Sequence, residues 1–331
     1  MVSRSTLEQF GDYDIWGDYL PKIDALNSEI NTKNESDKLK TCWLNQFSAL
    51  KIYGPDAERF LQGQFTCNLT EVTKGGSHYG ACCNAKGRVV ANFNISFDGD
   101  FYWLVLPTKS AEVLNEHLQK YKVFFKATIE NCAQSHLVWG QWKSNDTSET
   151  SEVAQVENGH QLFISDTRQI LITTVNGLEN EEIFLAPTLD WQLANIADGI
   201  YFVDNDQHEQ WIPQHINWHQ LGGISFSKGC YTGQEIIARL QYLGKAKKAL
   251  YHYSSAGNSA SEEVLVATFN TQEHKLFDSN GKSQGDIVLQ RNGEVLAVLN
   301  GETPDACLYL TDSQEFPLTL QNLPYTKKKD V

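Results

Sequence analysis

The chain lacks the marks of several common protein classes. No apolar stretch approaches the roughly 20 residues that cross a bilayer as a helix. The first nineteen residues scatter Arg4, Glu8, Asp12, Asp14 and Asp18 among isolated apolar side chains, without the basic start and apolar run of a secretory leader. The seven cysteines (Cys42, Cys67, Cys82, Cys83, Cys132, Cys230 and Cys307) form an odd, dispersed set with no C-x-x-C pair. That pattern argues against a zinc site and against a disulfide framework. Basic residues are outnumbered, 27 Lys and Arg against 41 Asp and Glu, for a formal net charge of −14. Proteins that hold nucleic acid through its phosphates carry a basic surface, so no such grip is expected. The basic groups Lys245, Lys247 and Lys248, and Lys327, Lys328 and Lys329, read as solvated faces. The exclusions point to a cytoplasmic protein with reduced thiols.

What is present is an ordinary globular composition, 41% hydrophobic and 21% charged, over 331 residues, enough for two or three domains with their own cores. Residues 1–40 are polar and read as a loosely ordered lead-in. From Trp43 the pattern alternates. A strand-like run through Phe47, Leu50 and Ile52 stops at Gly54-Pro55-Asp56, and a helix is expected over Pro55–Gln64, with Pro at its first position. Strands are expected at His78–Cys83, Arg88–Phe97, Phe101–Leu106, Ala127–Glu130, Leu137–Trp142, Gln161–Ser165 and Ile170–Thr174. Ser110–Tyr121 and Leu189–Ala197 carry helical spacing, the second closed by Gly199 and followed by a short strand Ile200–Val203. Lys143–Glu157 is Ser/Thr/Glu-rich and reads as a loop. Past Gly244 short apolar runs (Ala249–Tyr253, Val264–Phe269, Ile287–Gln290, Val295–Leu299, Cys307–Leu310, Leu318–Leu320), spaced by turns such as Asn280-Gly281 and Asn292-Gly293, predict a small β-barrel or sandwich. The expected division is a lead-in over 1–40, an α+β region of two interleaved domains over 41–243, and a β-barrel over 244–331.

One stretch concentrates chemistry. Gly222-Gly223-Ile224-Ser225-Phe226-Ser227-Lys228-Gly229-Cys230-Tyr231-Thr232-Gly233-Gln234-Glu235 packs four glycines, a thiol, a lysine and a carboxylate into fourteen residues. Thr232 and Glu235 stand in capping-box relation, which predicts a helix starting at Gly233 with Thr232 as its cap. Cys230 would then face the positive end of that helix with Lys228 close in sequence, and both would favour a thiolate. The plain alternative is a glycine loop with an incidental cysteine, in which Glu235 only caps.

Lys228-Gly229-Cys230-Tyr231-Thr232-Gly233-Gln234-Glu235 resembles the K-G-C-Y-x-G-Q-E signature of the YgfZ family, folate-binding relatives of the aminomethyltransferase (T-protein) of the glycine cleavage system. Phe60-Leu61-Gln62-Gly63-Gln64-Phe65-Thr66, Cys83-Asn84-Ala85-Lys86-Gly87-Arg88, Ile212-Pro213-Gln214 and Ala238-Arg239 fit the same family, and the resemblance covers roughly 43–325. It implies a three-domain, ring-like aminomethyltransferase fold with a C-terminal β-barrel and tetrahydrofolate in the central hole.

By the same resemblance, two aromatic positions contact the folate. These are Phe47, seven residues before Gly54, and Trp191, eight before Gly199; relatives carry Trp at the first, and Trp43 stands as its alternative. A flat pterin gains stacking and apolar burial on such rings, although core packing alone would also account for both aromatics. The anionic glutamate tail calls for cations, with Arg239 and Lys245 as candidates. Cys230 would be the working thiol, with Lys228 beside it. T-protein-like enzymes carry an Asp pair on the strand where this chain reads Ala91-Asn92. An amide cannot exchange protons as a carboxylate does, so aminomethyl transfer is not expected.

The resemblance further implies an accessory protein that maintains iron–sulfur enzymes, among them those that methylthiolate tRNA, with a link to regulation of replication initiation. The acidic charge favours contact with the modifying enzyme over the tRNA. One cysteine supplies one ligand where clusters take four, which argues against cluster storage. The rival readings are a folate-dependent one-carbon transferase or demethylase using another base, a folate sensor in which Cys230 is structural, and a thiol oxidoreductase with Cys82 or Cys83 as its resolving partner.

Overall fold

The computed structural model describes residues 40–143, 159–174, 184–186, 188–204, 207–244, 246–255, 274–301, 304–313 and 315–329. The first five-stranded sheet has the order β3(Ser77–Cys83)–β4(Val89–Phe97)–β5(Tyr102–Pro107)–β2(Phe47–Tyr53)–β6(Thr128–Asn131), antiparallel throughout. Glycines with positive φ make its turns: Gly87 (68°) between β3 and β4, Gly99 (110°) between β4 and β5. Helices α1(Ala57–Gln62), α2(Leu69–Val72) and α3(Thr108–Tyr121) cover one face. Their Phe60, Leu61, Leu69, Leu114 and Leu118 share a core with Phe93, Ile95 and Leu104. Each such fully buried side chain contributes about 1.5–3 kcal/mol by leaving water.

The second sheet has the order β10(Phe184–Leu185)–β1(Lys40–Trp43)–β7(His136–Trp142)–β9(Arg168–Thr174)–β8(Gly159–Phe163), antiparallel except for β1 with β10. It shares a core with the first sheet, in which Ala49, Trp103 and Val105 of one meet Val138, Leu162, Ile170 and Ile172 of the other. Helix α4(Thr188–Ala197) adds Trp191 to that core and ends at Gly199, φ 66°, as its left-handed stop predicts.

β11(Lys248–Ser254), β14(Glu294–Asn300), β13(Ser283–Arg291), β12(Lys275–Phe277), β15(Cys307–Tyr309) and β16(Pro317–Gln321) close a barrel through the β11–β16 pairing. Asn292 (φ 46°) and Gly293 (φ 78°) form its tight β13–β14 hairpin, as the Asn-Gly signal predicts. A further core ties the parts together, with Cys83 and Val89 from the first sheet, Trp211, Trp218 and Tyr231 from the central segment, and Leu250, Leu296 and Val298 from the barrel. Helix α5(Gln234–Leu243) follows the signature loop.

Three expectations change. Pro55 and Asp56 precede α1 rather than starting it, because Asp56 accepts from the Lys126 amide and its own N–H donates to Lys126 O, pinning the turn to the strand end. Residues 200–203 are coil rather than strand. Among the described residues no strand pairs with them, and the side chains of Asn92 and Ser110 hydrogen-bond to their backbone instead. The three-residue β12, too short to show in the sequence, completes the barrel. The run Val264–Phe269, the lead-in apart from Lys40, and nearly all of the loop Lys143–Glu157 lie outside the described residues. Among the described residues no helix is long and apolar enough to cross a membrane.

Candidate functional site

The two sheets, the helix over 188–197 and the 200–202 segment enclose a narrow cavity of about 10 Å³, room for about one water. Phe47, at the start of β2, lines it from the first sheet together with Tyr79 and Asn94; Trp191 and Asn195 line it from α4. Phe47 and Trp191 lie far apart in sequence, so only the fold brings them to one space. Trp43, the alternative to Phe47, pairs with Trp139 across β1 and β7 and is not part of the lining. Phe202 meets Phe47 edge to face at 5.4 Å and continues the aromatic wall. Alternation along β4 explains the polar side. Ala91, Phe93 and Ile95 enter the helical core, so Asn92, Asn94 and Ser96 take the opposite face, all three buried. Asn94 hydrogen-bonds the Tyr79 hydroxyl, and burial pushes that phenol up to about 12, so Tyr79 is a neutral hydroxyl at physiological pH.

Trp191 is held from behind. Arg168 at the start of β9 lies with its guanidinium 4.4 Å from the centroid of the Trp191 ring. Its Nη1 donates to Asp198 Oδ2 at 2.6 Å and its Nη2 to Asn195 Oδ1. Burial pulls the guanidinium pKa down while Asp198 opposes that shift, and Asp198, itself partly buried, is pushed up for the same reason. A Cβ at Gly140 would sit 2.7 Å from the indole, so the strand beneath Trp191 must be glycine. Trp191 is only 3% exposed, with Trp142 6.1 Å away between ring centroids, so little of its ring is free to meet a ligand.

The cations expected for an anionic tail are placed differently. Arg239 is exposed on α5 and does not line the cavity, and Lys245 lies outside the described residues. Arg168 touches two lining residues, Asn195 and Trp191, and neither it nor Asn195, Tyr79, Asn94 and Phe202 is among the residues that the sequence pointed to. Asn195 had a signal, since it follows Trp191 by four on an expected helix and must share its face. Arg168 had none, because its contact with α4 comes from sheet packing.

The signature loop is built against the other family-like segment. Thr66 Oγ1 donates to Gly223 O at 2.6 Å, Ser225 N to Thr66 O at 2.8 Å, and Thr232 N to Gly63 O at 3.1 Å. Lys228, expected beside Cys230, is buried instead. Its Nζ donates to the carbonyls of Gln62, Phe65 and Cys67 at 2.7, 2.8 and 2.7 Å, and lies 5.1 Å from the Tyr231 ring centroid. Burial pushes the ammonium down to about 8, and the buried Cys67 thiol opposes that shift. Its three protons are all donated to carbonyls, so Lys228 offers no hydrogen bond to the Cys230 thiol.

The capping box does not form either. The helix N-cap is Gly233, φ 80°, with no side-chain cap, and a Cβ there would meet Asn84 O at 2.5 Å. The close approach of the 84–87 turn to the helix start selects glycine over Thr232 at the cap. Cys230 is exposed, whereas Cys82 and Cys83 are fully buried in two different cores with their thiols pushed up by burial. Neither of the pair reaches the surface that carries Cys230. Among the described residues, no group of His, Cys, Asp and Glu is arranged to hold a metal ion.

On β4, Asn92 is fully buried. Its Nδ2 donates to Tyr201 O at 2.8 Å and its Oδ1 accepts from Val203 N at 2.8 Å. Both carboxamide atoms are therefore engaged by the coil segment that forms part of the cavity wall.

Comparison with known proteins places this arrangement. No protein-family model matches the chain. Among solved structures, the aminomethyltransferase T of the glycine cleavage system from Bartonella henselae superimposes with a TM-score of 0.63 over 87% of this chain and 86% of its own, at 11% identity, a likeness of fold alone. Among curated sequences, a tRNA-modifying protein YgfZ of Vibrio atlanticus is 32% identical over 314 residues, 89% of this chain and 95% of the relative. That of Colwellia psychrerythraea is 30% identical over 308 residues, 86% and 92% respectively. With the T-protein fold and full-length relatives at this identity, the chain belongs to the YgfZ family.

Proposed function

We propose that the chain is a folate-binding accessory protein of tRNA modification, holding tetrahydrofolate or a derivative in the cavity between the two sheets. The observation that carries the reading is that Phe47 and Trp191, the two positions the family resemblance singles out, line one cavity. The lining suits a flat heteroaromatic ring, with aromatic walls at Phe47, Trp191 and Phe202 and polar groups on Asn94, Tyr79 and Asn195 to read its edge. The free space is about 10 Å³, far below the ~300–1,000 Å³ of pockets that take a drug-sized ligand, so the pterin enters only as the lining side chains move apart, with the aminobenzoyl-glutamate part extending outward. The relatives' name supplies the link to tRNA modification, and the net charge of −14 favours a route through a modifying enzyme rather than the tRNA itself. The iron–sulfur enzymes that methylthiolate tRNA are the partners proposed, with Cys230 as the exposed thiol that meets them; the link to replication initiation is a downstream consequence of the same role.

The test is a titration of intrinsic tryptophan fluorescence with tetrahydrofolate for wild type, Trp191→Ala and Cys230→Ala. Saturable binding that falls at least tenfold in Trp191→Ala and is unchanged in Cys230→Ala is expected. An absence of binding by the wild type would sink the folate assignment. Equal loss in Cys230→Ala would sink the separation of the cavity from the thiol.

A further inference from the structure

The cavity wall has a fixed hydrogen-bond polarity, and Arg168 sets it. A guanidinium has only donors, so the Asn195 atom facing it must be the carbonyl Oδ1. The opposite orientation would set N–H against N–H beside a buried cation. Arg168 cannot turn away to permit it, because it is 7% exposed, paired with Asp198 at 2.6 Å and packed 4.4 Å from the Trp191 ring. The carboxamide therefore presents Nδ2, a two-proton donor, on its other side. Asn195 lines the cavity, and among the described residues its side chain makes one hydrogen bond, the one that Oδ1 accepts from Arg168. Arg168 itself does not line the cavity and acts only through Asn195 and Trp191.

We propose that Asn195 Nδ2 is a specificity-determining donor that selects ligands with a carbonyl acceptor on the ring edge, and that Arg168 is the positioning residue that locks this donor in place. The inference rests on the folate reading of the cavity and adds to it which ring chemistry is accepted. A pterin bears an oxo group at position 4 and offers an acceptor there. The 4-amino analogue offers N–H donors at the same edge, which would meet Nδ2 donor to donor.

The experiment measures dissociation constants for tetrahydrofolate and its 4-amino analogue with wild type, Asn195→Asp and Arg168→Met, with thermal unfolding recorded for each. Wild type is expected to prefer the oxo ligand by at least about tenfold, the scale of one buried hydrogen bond that is made or opposed. Asn195→Asp keeps the partner of Arg168, so the fold is retained, and turns the cavity face into an acceptor; the preference should invert. Arg168→Met frees the carboxamide to rotate while Asp198, 41% exposed, remains hydrated. The discrimination should then collapse towards unity with tetrahydrofolate affinity changed only a few-fold, a result that a merely structural role for Arg168 would not produce. Tetrahydrofolate binding with the same ligand ratio in wild type and Asn195→Asp overturns this inference and leaves the folate reading standing. Binding of neither ligand by the wild type overturns both.

Discussion

Asn92 and Val203, 111 positions apart, are joined by a 2.8 Å hydrogen bond from the Val203 amide to Asn92 Oδ1, while Asn92 Nδ2 donates at 2.8 Å to the Tyr201 carbonyl. One carboxamide thus does for the 200–203 segment what a neighbouring strand would do, supplying an acceptor and a donor in strand-like spacing. The carboxamide of Asn92 is spent on holding the cavity wall.

Asn92→Asp should therefore destabilise the protein without creating a working base. An ionised carboxylate accepts from Val203 but cannot donate to Tyr201 O, and it would be fully buried with no cation among the contacts of Asn92. A loss of about 2–4 kcal/mol at pH 7 is expected. The folded-state pKa of such a group is raised, so the folded form binds the extra proton and the penalty shrinks as pH falls, since the neutral acid can both donate and accept. Urea unfolding of variant and wild type at pH 7 and pH 5 measures this. A penalty equal at both values would contradict the proposed geometry.

Lys228→Met should cost about 2–5 kcal/mol, because three buried carbonyls (Gln62, Phe65 and Cys67) lose their common donor. The damage should be local to the junction of the signature loop and the 62–67 turn, seen as faster amide hydrogen exchange at Ser225 and Thr232, whose N–H groups bond to Thr66 O and Gly63 O. If Lys228 instead served Cys230, the variant would lose thiol reactivity while keeping its stability and exchange protection.

The fold was legible where local chemistry decides it. Alternation along β4, the Asn292-Gly293 turn and the Gly199 stop each carry their own cause in one or two residues. The cavity was legible in part, because Phe47 and Trp191 could be named by resemblance, whereas Arg168 and Asn94 reach it through sheet register and packing that no local pattern encodes. Lys228 shows the opposite failure. Two residues from Cys230 in sequence, it turns inward because three carbonyls more than 160 positions away form a better site for an ammonium than solvent beside a thiol. Thr232 lost the cap to Gly233 for a similar reason, since the 84–87 turn needs the space that a side chain would fill.

Acid should weaken the protein before its carboxylates titrate, and His215 should carry a measurable share. Burial, with help from Lys248 and Arg88, pushes this imidazole down to about 4. An ordinary histidine in the unfolded chain titrates near 6.5. Between those values the unfolded chain binds the proton and the folded chain does not, so stability is present above about 6.5 and falls as pH drops towards 4. His117, His136, His160 and His219 are shifted down by burial too and add in the same direction. The carboxylates held low, Asp98 and Glu294, lose their contribution only at more acid pH, and Asp198, held high by burial, acts in the opposite direction, so the loss of stability from 7 to 5 comes from the histidines. Allowing for partial exposure, His215 should account for about 1–2 kcal/mol of the difference between pH 7 and pH 5. Urea unfolding at both values should show that difference reduced by this amount in His215→Gln. An unchanged difference would mean that His215 is protonated in the folded state with Lys248 and Arg88 turned away from it.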